Sequence, residues 1–180
     1  MAHIEITNGL PGISGLFVQR PDTAVVLSEL AETLLRSGPS PLSRGERELI
    51  AAYVSNLNRT AFCAGSHSAI AAAQLEGGAE LVAAVFTDVD TAPITPLLRA
   101  LLRVAGEVQA KAAPVSHQAV AAARAEGATD THIHDTVLIA AAFAMFNRYV
   151  NGLATAVPSD ASFYDLTAER IIHHGYGAAR

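Results

Sequence analysis

The chain has 180 residues, 51% of them hydrophobic and 16% charged, with a formal net charge of −5, which is enough apolar material for one well-filled domain and no length that calls for two. Its 12 Lys and Arg are spread along the chain and form no basic stripe able to neutralise a phosphate backbone, so nucleic acid is not an expected partner. A single cysteine, Cys63, excludes an internal disulfide, and the start Met1-Ala2-His3-Ile4-Glu5 lacks the basic and apolar regions of a signal peptide, so the expected location is cytoplasmic.

Residues 1–20, with Gly9, Pro11, Gly12 and Gly15, read as an irregular N-terminal arm. Beyond them Ala, Leu, Glu and Arg recur at three-to-four spacing between punctuating Gly and Pro, and no Val/Ile/Thr-rich alternation occurs, so the fold class is all-α with about seven to eight helices. A first helix is expected over 21–38, ahead of the turn at Pro39-Ser40-Pro41. Ser43 and Glu46 have the spacing of a capping box, which places a second helix over 44–57. A third opens near Asn58 or Thr60, carries Cys63 and His67, and runs to Glu76 before Gly77-Gly78. Further helices are expected over 79–87, 96–112 (Thr95 as cap, Pro96 in the first turn), 116–127, 130–155 and 160–174. The longest apolar run, 137–146, is too short for a bilayer core of about 30 Å. It is apolar all round, so it belongs at the centre of the bundle or under another subunit, and a homo-oligomer is expected.

The chemistry concentrates at Cys63. With Thr60 as N-cap, Cys63 falls in the first turn of its helix, where free N–H groups and the helix dipole favour a thiolate, which predicts an acidic thiol. His67, four residues on, shares its face and can serve as base or as cation beside the sulfur. An antiparallel hairpin turning near 56–58 sets Glu48 opposite Cys63, where a carboxylate can orient His67 or relay a proton. Thr60, Ser66 and Tyr53 are supporting hydroxyl donors. The same residues also admit a plain reading: a buried sulfur acting as a small hydrophobe, a first-turn acid and a structural histidine.

The longer pattern is more specific. Leu42-Ser43-Arg44-Gly45-Glu46-Arg47-Glu48-Leu49-Ile50, then Val54-Ser55-Asn56-Leu57-Asn58, then Cys63 and His67, resembles the peroxidase-related branch of the alkylhydroperoxidase D-like, or carboxymuconolactone decarboxylase, superfamily. The segment from Asp135 to Phe146-Asn147-Arg148 and the ending Ile171-Ile172-His173-His174-Gly175-Tyr176 are similar to it too, so the resemblance covers most of the chain. It implies an alkylhydroperoxidase D-like helical bundle assembling into trimers or hexamers, and a thiol peroxidase site of a glutamate, a Cys-x-x-Cys pair and a histidine. The glutamate falls on Glu48, the peroxide-attacking second cysteine on Cys63 and the histidine on His67. The first cysteine, which in the family resolves the sulfenic acid, falls on Thr60. The expected activity is therefore a one-cysteine version, in which Glu48 and His67 relay the proton, Cys63 attacks a hydroperoxide, and an external thiol reduces the sulfenic acid.

Two other functions fit the same residues: a decarboxylase-like lyase or isomerase on a small organic acid, using His67 and Glu48 as acid and base, or a helical oligomer without catalysis. No cofactor and no metal is expected. His132 and His134, two apart, point to different helix faces, His173-His174 sit near a helix end, and His67 with Glu48 falls short of the three protein ligands usual for a catalytic zinc. His3 and His117 read as solvated. Asn147-Arg148, a polar pair closing an apolar stretch, needs partners, either a neighbouring subunit or an anion in a pocket.

Overall fold

The computed structural model describes residues 2–177. It is all-helical, with nine α-helices and one π-helical turn among the described residues. They are α1 Gly12–Gln19, α2 Pro21–Glu32, the π turn Thr33–Ser37, α3 Arg44–Leu57, α4 Ala61–Ala72, α5 Gly78–Thr87, α6 Pro96–Ala110, α7 His117–Ala125, α8 Asp130–Gly152 and α9 Ser162–His174. No helix among them is long and apolar enough to cross a membrane.

The extra helix is α1, inside the stretch expected to be an irregular arm. Its glycines serve close packing rather than a break. Gly12 has φ +56°, and a Cβ there would lie 2.3 Å from the Phe62 ring. Leu16 of the same helix is buried. The expected first helix divides into α2 and the π turn. Arg47 on α3 explains how the turn's end is accommodated: its buried guanidinium donates to the Leu34 and Gly38 carbonyls, both at 3.2 Å, and lies 3.4 Å from that of Arg36. The third helix also ends earlier than expected, at Ala72, with Gln74 and Leu75 bonding back to the Ala71 carbonyl in turns.

Helix α3 begins where the sequence indicates. Ser43 Oγ accepts from Glu46 N and the Glu46 carboxylate accepts from Ser43 N, which satisfies two of the helix's first donors. Leu49, Ile50 and Val54 then fall on a fully buried face, against Leu101, Leu102 and Val104 of α6 and Ile139 and Phe143 of α8. Helices α3 and α4 form an antiparallel hairpin, turning through Asn58-Arg59-Thr60 with Arg59 at φ +53°. Helix α8 crosses behind the hairpin and α9 packs on α4.

The 137–146 stretch is only partly covered: Ile139, Ala140, Ala142, Phe143 and Phe146 are buried, while Leu138 and Met145 stand exposed at 40% and 43%. Met145 also lines an open groove with Leu27 of α2. Asn147 and Arg148 separate. Asn147 is buried and bonded inside the fold, whereas Arg148 is exposed and donates to the Ala144 carbonyl on its own helix.

A methyl group at Gly12 meets both a left-handed backbone and the Phe62 ring, so Gly12→Ala is expected to lower stability by about 1–3 kcal/mol. At Gly152, with ordinary φ and nothing within 4 Å of an added Cβ, the same change is expected to be neutral or to stabilise by up to about 1 kcal/mol. Urea denaturation of the two variants beside the parent checks the contrast; equal effects at both sites would contradict it.

Candidate functional site

The α3–α4 hairpin brings Glu48 and His67 together. His67 Nδ1 lies 2.7 Å from Glu48 Oε2, and Glu48 is only 2% exposed. A carboxylate this deep needs partners on both oxygens. The second comes from the far end of the chain, where the Tyr176 hydroxyl donates to Glu48 Oε1 at 2.5 Å and also lies 3.4 Å from His67 Nδ1. The Tyr176 ring stands nearly parallel to the imidazole, 6.2 Å between centroids, and the Phe143 ring meets the imidazole edge-on at 4.5 Å. With Nδ1–H donating to Glu48, the other ring nitrogen, Nε2, is left as an acceptor, and it has no hydrogen bond among the described residues.

Tyr176 reaches this position because the tail after α9 is pinned. Gly175 ends α9 at φ +83°, and a Cβ there would fall 2.5 Å from Glu32 Oε2. That approach lets Tyr176 N donate to Glu32 Oε2 at 2.9 Å, while Glu32 Oε1 accepts from Arg36 at 2.8 Å. Burial, and next the Glu48 charge, hold the Tyr176 phenol well above its ordinary value of 10, so it stays a donor. Tyr176 has no role assigned by the sequence pattern beyond membership of the family-like ending. The signal available in the sequence was a helix-stopping glycine followed by an aromatic donor, which carries no information about its target 128 residues away.

Cys63 and His67 face one cavity of about 60 Å³. Helices α1 and α2 supply Ile13, Phe17 and Leu27 to its wall, α4 supplies Phe62, and α8 supplies Phe143 and Phe146. Cys63 is 4% exposed, and burial pushes its thiol up to about 11, with a hydrogen bond from the Asn147 side chain pulling less strongly the other way. The expected acidic thiol is thus overturned. A first-turn position at a helix N-terminus is worth about 0.3–1 kcal/mol, less than one pKa unit at 1.36 kcal/mol each, and desolvation of the sulfur exceeds it.

Thr60 is the N-cap residue of α4 but makes no side-chain cap. Its hydroxyl accepts from Asn151 Nδ2 at 2.8 Å, and no bond joins it to Cys63 among the described residues. Behind the sulfur runs an amide network. Asn147 Nδ2 donates to Ser55 Oγ at 3.0 Å, Asn58 Nδ2 to Asn147 Oδ1 at 2.9 Å and Gln109 Nε2 to Asn58 Oδ1 at 2.9 Å. Tyr53 is not drawn into the site: its ring packs towards α6, where a Cβ on Gly106 would sit 3.7 Å from its hydroxyl, and burial raises its pKa. Ser66 is buried on α4, its hydroxyl has no partner among the described residues, and it lines no part of the Cys63 cavity. Ser28 of α2 does line that cavity, and its buried hydroxyl too has no partner among the described residues, a state that costs about 1–3 kcal/mol.

The other histidines lie elsewhere. His132 Nδ1 accepts from Thr129 N in the capping box of α8, His134 pairs with Asp135 at 3.1 Å on the surface, and His3 and His117 are exposed. His173 and His174 have ring centroids 6.3 Å apart at the end of α9. Among the described residues no three His, Cys, Asp or Glu side chains converge as a metal centre requires.

Residues 21–107, which include Glu48, Cys63 and His67, match the model of the carboxymuconolactone decarboxylase family. The fold is similar to the crystal structure of an alkylhydroperoxidase AhpD core, a peroxidase-related protein from Ralstonia eutropha JMP134, at 25% identity over 90% of this chain and 83% of that one, with a TM-score of 0.76. It is also similar in fold to a peroxidase-related protein from Silicibacter sp. TM1040, at 24% identity over 88% and 81%, with a TM-score of 0.75. No curated protein matches the chain.

Because the folded thiol is neutral below about 11, alkylation of Cys63 by iodoacetamide is expected to rise about tenfold per pH unit from about pH 7 to about pH 10. Intact-mass kinetics check this; a rate already level by about pH 8.5 would show an unperturbed or acidic thiol.

Proposed function

We propose that this chain, a member of the alkylhydroperoxidase D-like, carboxymuconolactone decarboxylase superfamily, is a one-cysteine thiol peroxidase acting on a small organic hydroperoxide. The observation that carries the reading is the 2.7 Å Glu48–His67 pair, whose imidazole lines the same largely apolar cavity as Cys63. A thiol held near 11 is almost wholly protonated at neutral pH, so a peroxidase built on it needs a base beside it.

In this mechanism His67 Nε2 takes the Cys63 proton while Glu48, steadied by Tyr176, stabilises the imidazolium through Nδ1–H. The thiolate attacks the terminal oxygen of the hydroperoxide, the S–O bond forms and the O–O bond breaks. Sulfur is oxidised to sulfenic acid and the departing alkoxide takes the proton from His67 to leave as alcohol. Thr60 supplies no second thiol, so an external thiol attacks the sulfenic sulfur, water leaves, and a second thiol releases Cys63 with formation of the external disulfide. A cytoplasmic setting supplies such thiols.

The cavity wall argues against an organic acid as substrate. Its side chains include no Arg or Lys to hold a carboxylate, whereas an alkyl hydroperoxide is neutral and largely apolar. Leu138 and Met145, large apolar side chains exposed seven residues apart on α8, support burial of this face against another copy of the chain. Sedimentation velocity is expected to show a homo-oligomer that Met145→Lys weakens; a monomer at all concentrations would contradict that assembly.

With one equivalent of tert-butyl hydroperoxide, intact mass is expected to show one added oxygen, reversed by dithiothreitol and absent in Cys63→Ser. Glu48→Gln and His67→Asn are each expected to slow the oxidation roughly 10²-fold or more. Tyr176→Phe, which leaves Glu48 with one partner, is expected to slow it by a smaller factor and to shift its pH profile. A folded wild type whose thiol gains no oxygen would remove the peroxidase reading.

A further inference from the structure

Ser28 stands out on the wall of the Cys63 cavity. It is 3% exposed, its Oγ has no partner among the described residues, and it shares the cavity with Cys63 and His67. A serine within a helix ordinarily turns its hydroxyl back to the carbonyl four residues earlier, and here it does not. Ser66, Ser68 and Thr136 also have hydroxyls without a partner among the described residues, but none of them lines this cavity. The other polar groups on the wall already have tasks: the Tyr176 hydroxyl is spent on Glu48, and His67 is tied to the same carboxylate by Nδ1. Ser28 is the donor left over.

We infer that Ser28 is a substrate-binding residue whose hydroxyl donates a hydrogen bond to the oxygen head of a small, branched or short-chain organic hydroperoxide. The alkyl part then lies against Ile13, Phe17 and Leu27 of the wall. The size fits: a single water needs about 10–15 Å³, so a cavity of about 60 Å³ holds a molecule of a few heavy atoms rather than one solvent molecule. Water is also a poor match, because it seeks two to four polar partners and this wall offers few. Ser28 is held in register with the acid–base pair, since Glu32, one turn further along α2, carries the hydrogen bond that pins Tyr176. The inference takes its ligand class from the peroxidase reading, and its test separates the two.

The probes are tert-butyl hydroperoxide, for the rate of Cys63 oxidation, and its product tert-butanol, for binding followed by NMR titration without any chemistry. Ser28→Ala removes an unpaired hydroxyl and little volume, and Ser28→Thr restores the donor. Ser28→Ala is expected to lower both the oxidation rate and the tert-butanol affinity about tenfold, the size of one neutral hydrogen bond, with Ser28→Thr recovering most of each. Iodoacetamide alkylation of Cys63 should stay within about twofold of wild type, because the sulfur itself is untouched. Wild-type rates and affinity in Ser28→Ala would overturn the inference, as would a parallel tenfold loss in alkylation, which would mean a reshaped cavity. If the wild-type thiol is inert to hydroperoxide while tert-butanol binding still depends on Ser28, the peroxidase reading falls and the binding role stands.

Discussion

A carboxylate at 2% exposure is the constraint around which this fold is arranged. Glu48 cannot sit among Leu49, Ile50 and Ile70 without donors for both oxygens, and its own helix has none to offer. One donor arrives by the shortest route, across the α3–α4 hairpin from His67. The other arrives by the longest, from the tail beyond α9. The neighbour Arg47, of opposite sign, turns away from Glu48 to the carbonyls that end the π turn. Two adjacent buried charges thus tie α3 to two different parts of the chain.

The surroundings of Cys63 divide into two sides of unlike character. Towards the cavity lie mostly aromatic and aliphatic side chains, whose burial of the sulfur pushes the thiol pKa up. Behind it lies the Ser55–Asn58–Asn147–Gln109 amide network, which anchors α8 to the hairpin and to α6. Asn147 belongs to both sides, bonded within the network and donating towards the sulfur. Its burial accounts for a polar residue closing an apolar helical stretch, and its partners come from the same chain.

Helix class, most boundaries and the Glu48–His67 pairing were legible because they depend on local rules: capping residues, Pro and Gly punctuation, and the geometry of a short antiparallel hairpin. The Ser43/Glu46 capping box and the Thr95 and Ser116 caps follow directly from residue type and spacing. What failed depended on contacts distant in sequence. Gly12 reads as a break because nothing near it in sequence shows that the Phe62 ring, fifty residues on, packs against it. The acidity expected of Cys63 rests on its place in a helix turn, whereas burial under walls contributed from α1, α2 and α8 pushes the thiol the other way. Tyr53 was chosen for nearness in sequence, but its position on α3 carries it to the α6 side. Tyr176 and Ser28 carried no local mark at all.

The pinning of the tail also has a temporal side. The Tyr176–Glu32 contact closes a loop of 144 residues and the Tyr176–Glu48 contact one of 128, whereas the Glu48–His67 contact closes only 19. Loop-closure entropy rises with length, so the hairpin pair is expected to form early and the second carboxylate donor last. During that interval Glu48 has one partner and the thiol lies in an unfinished cavity. Completion of the Glu48–His67–Tyr176 cluster is then expected to be one of the last events of folding, and its integrity depends on the segment beyond α9.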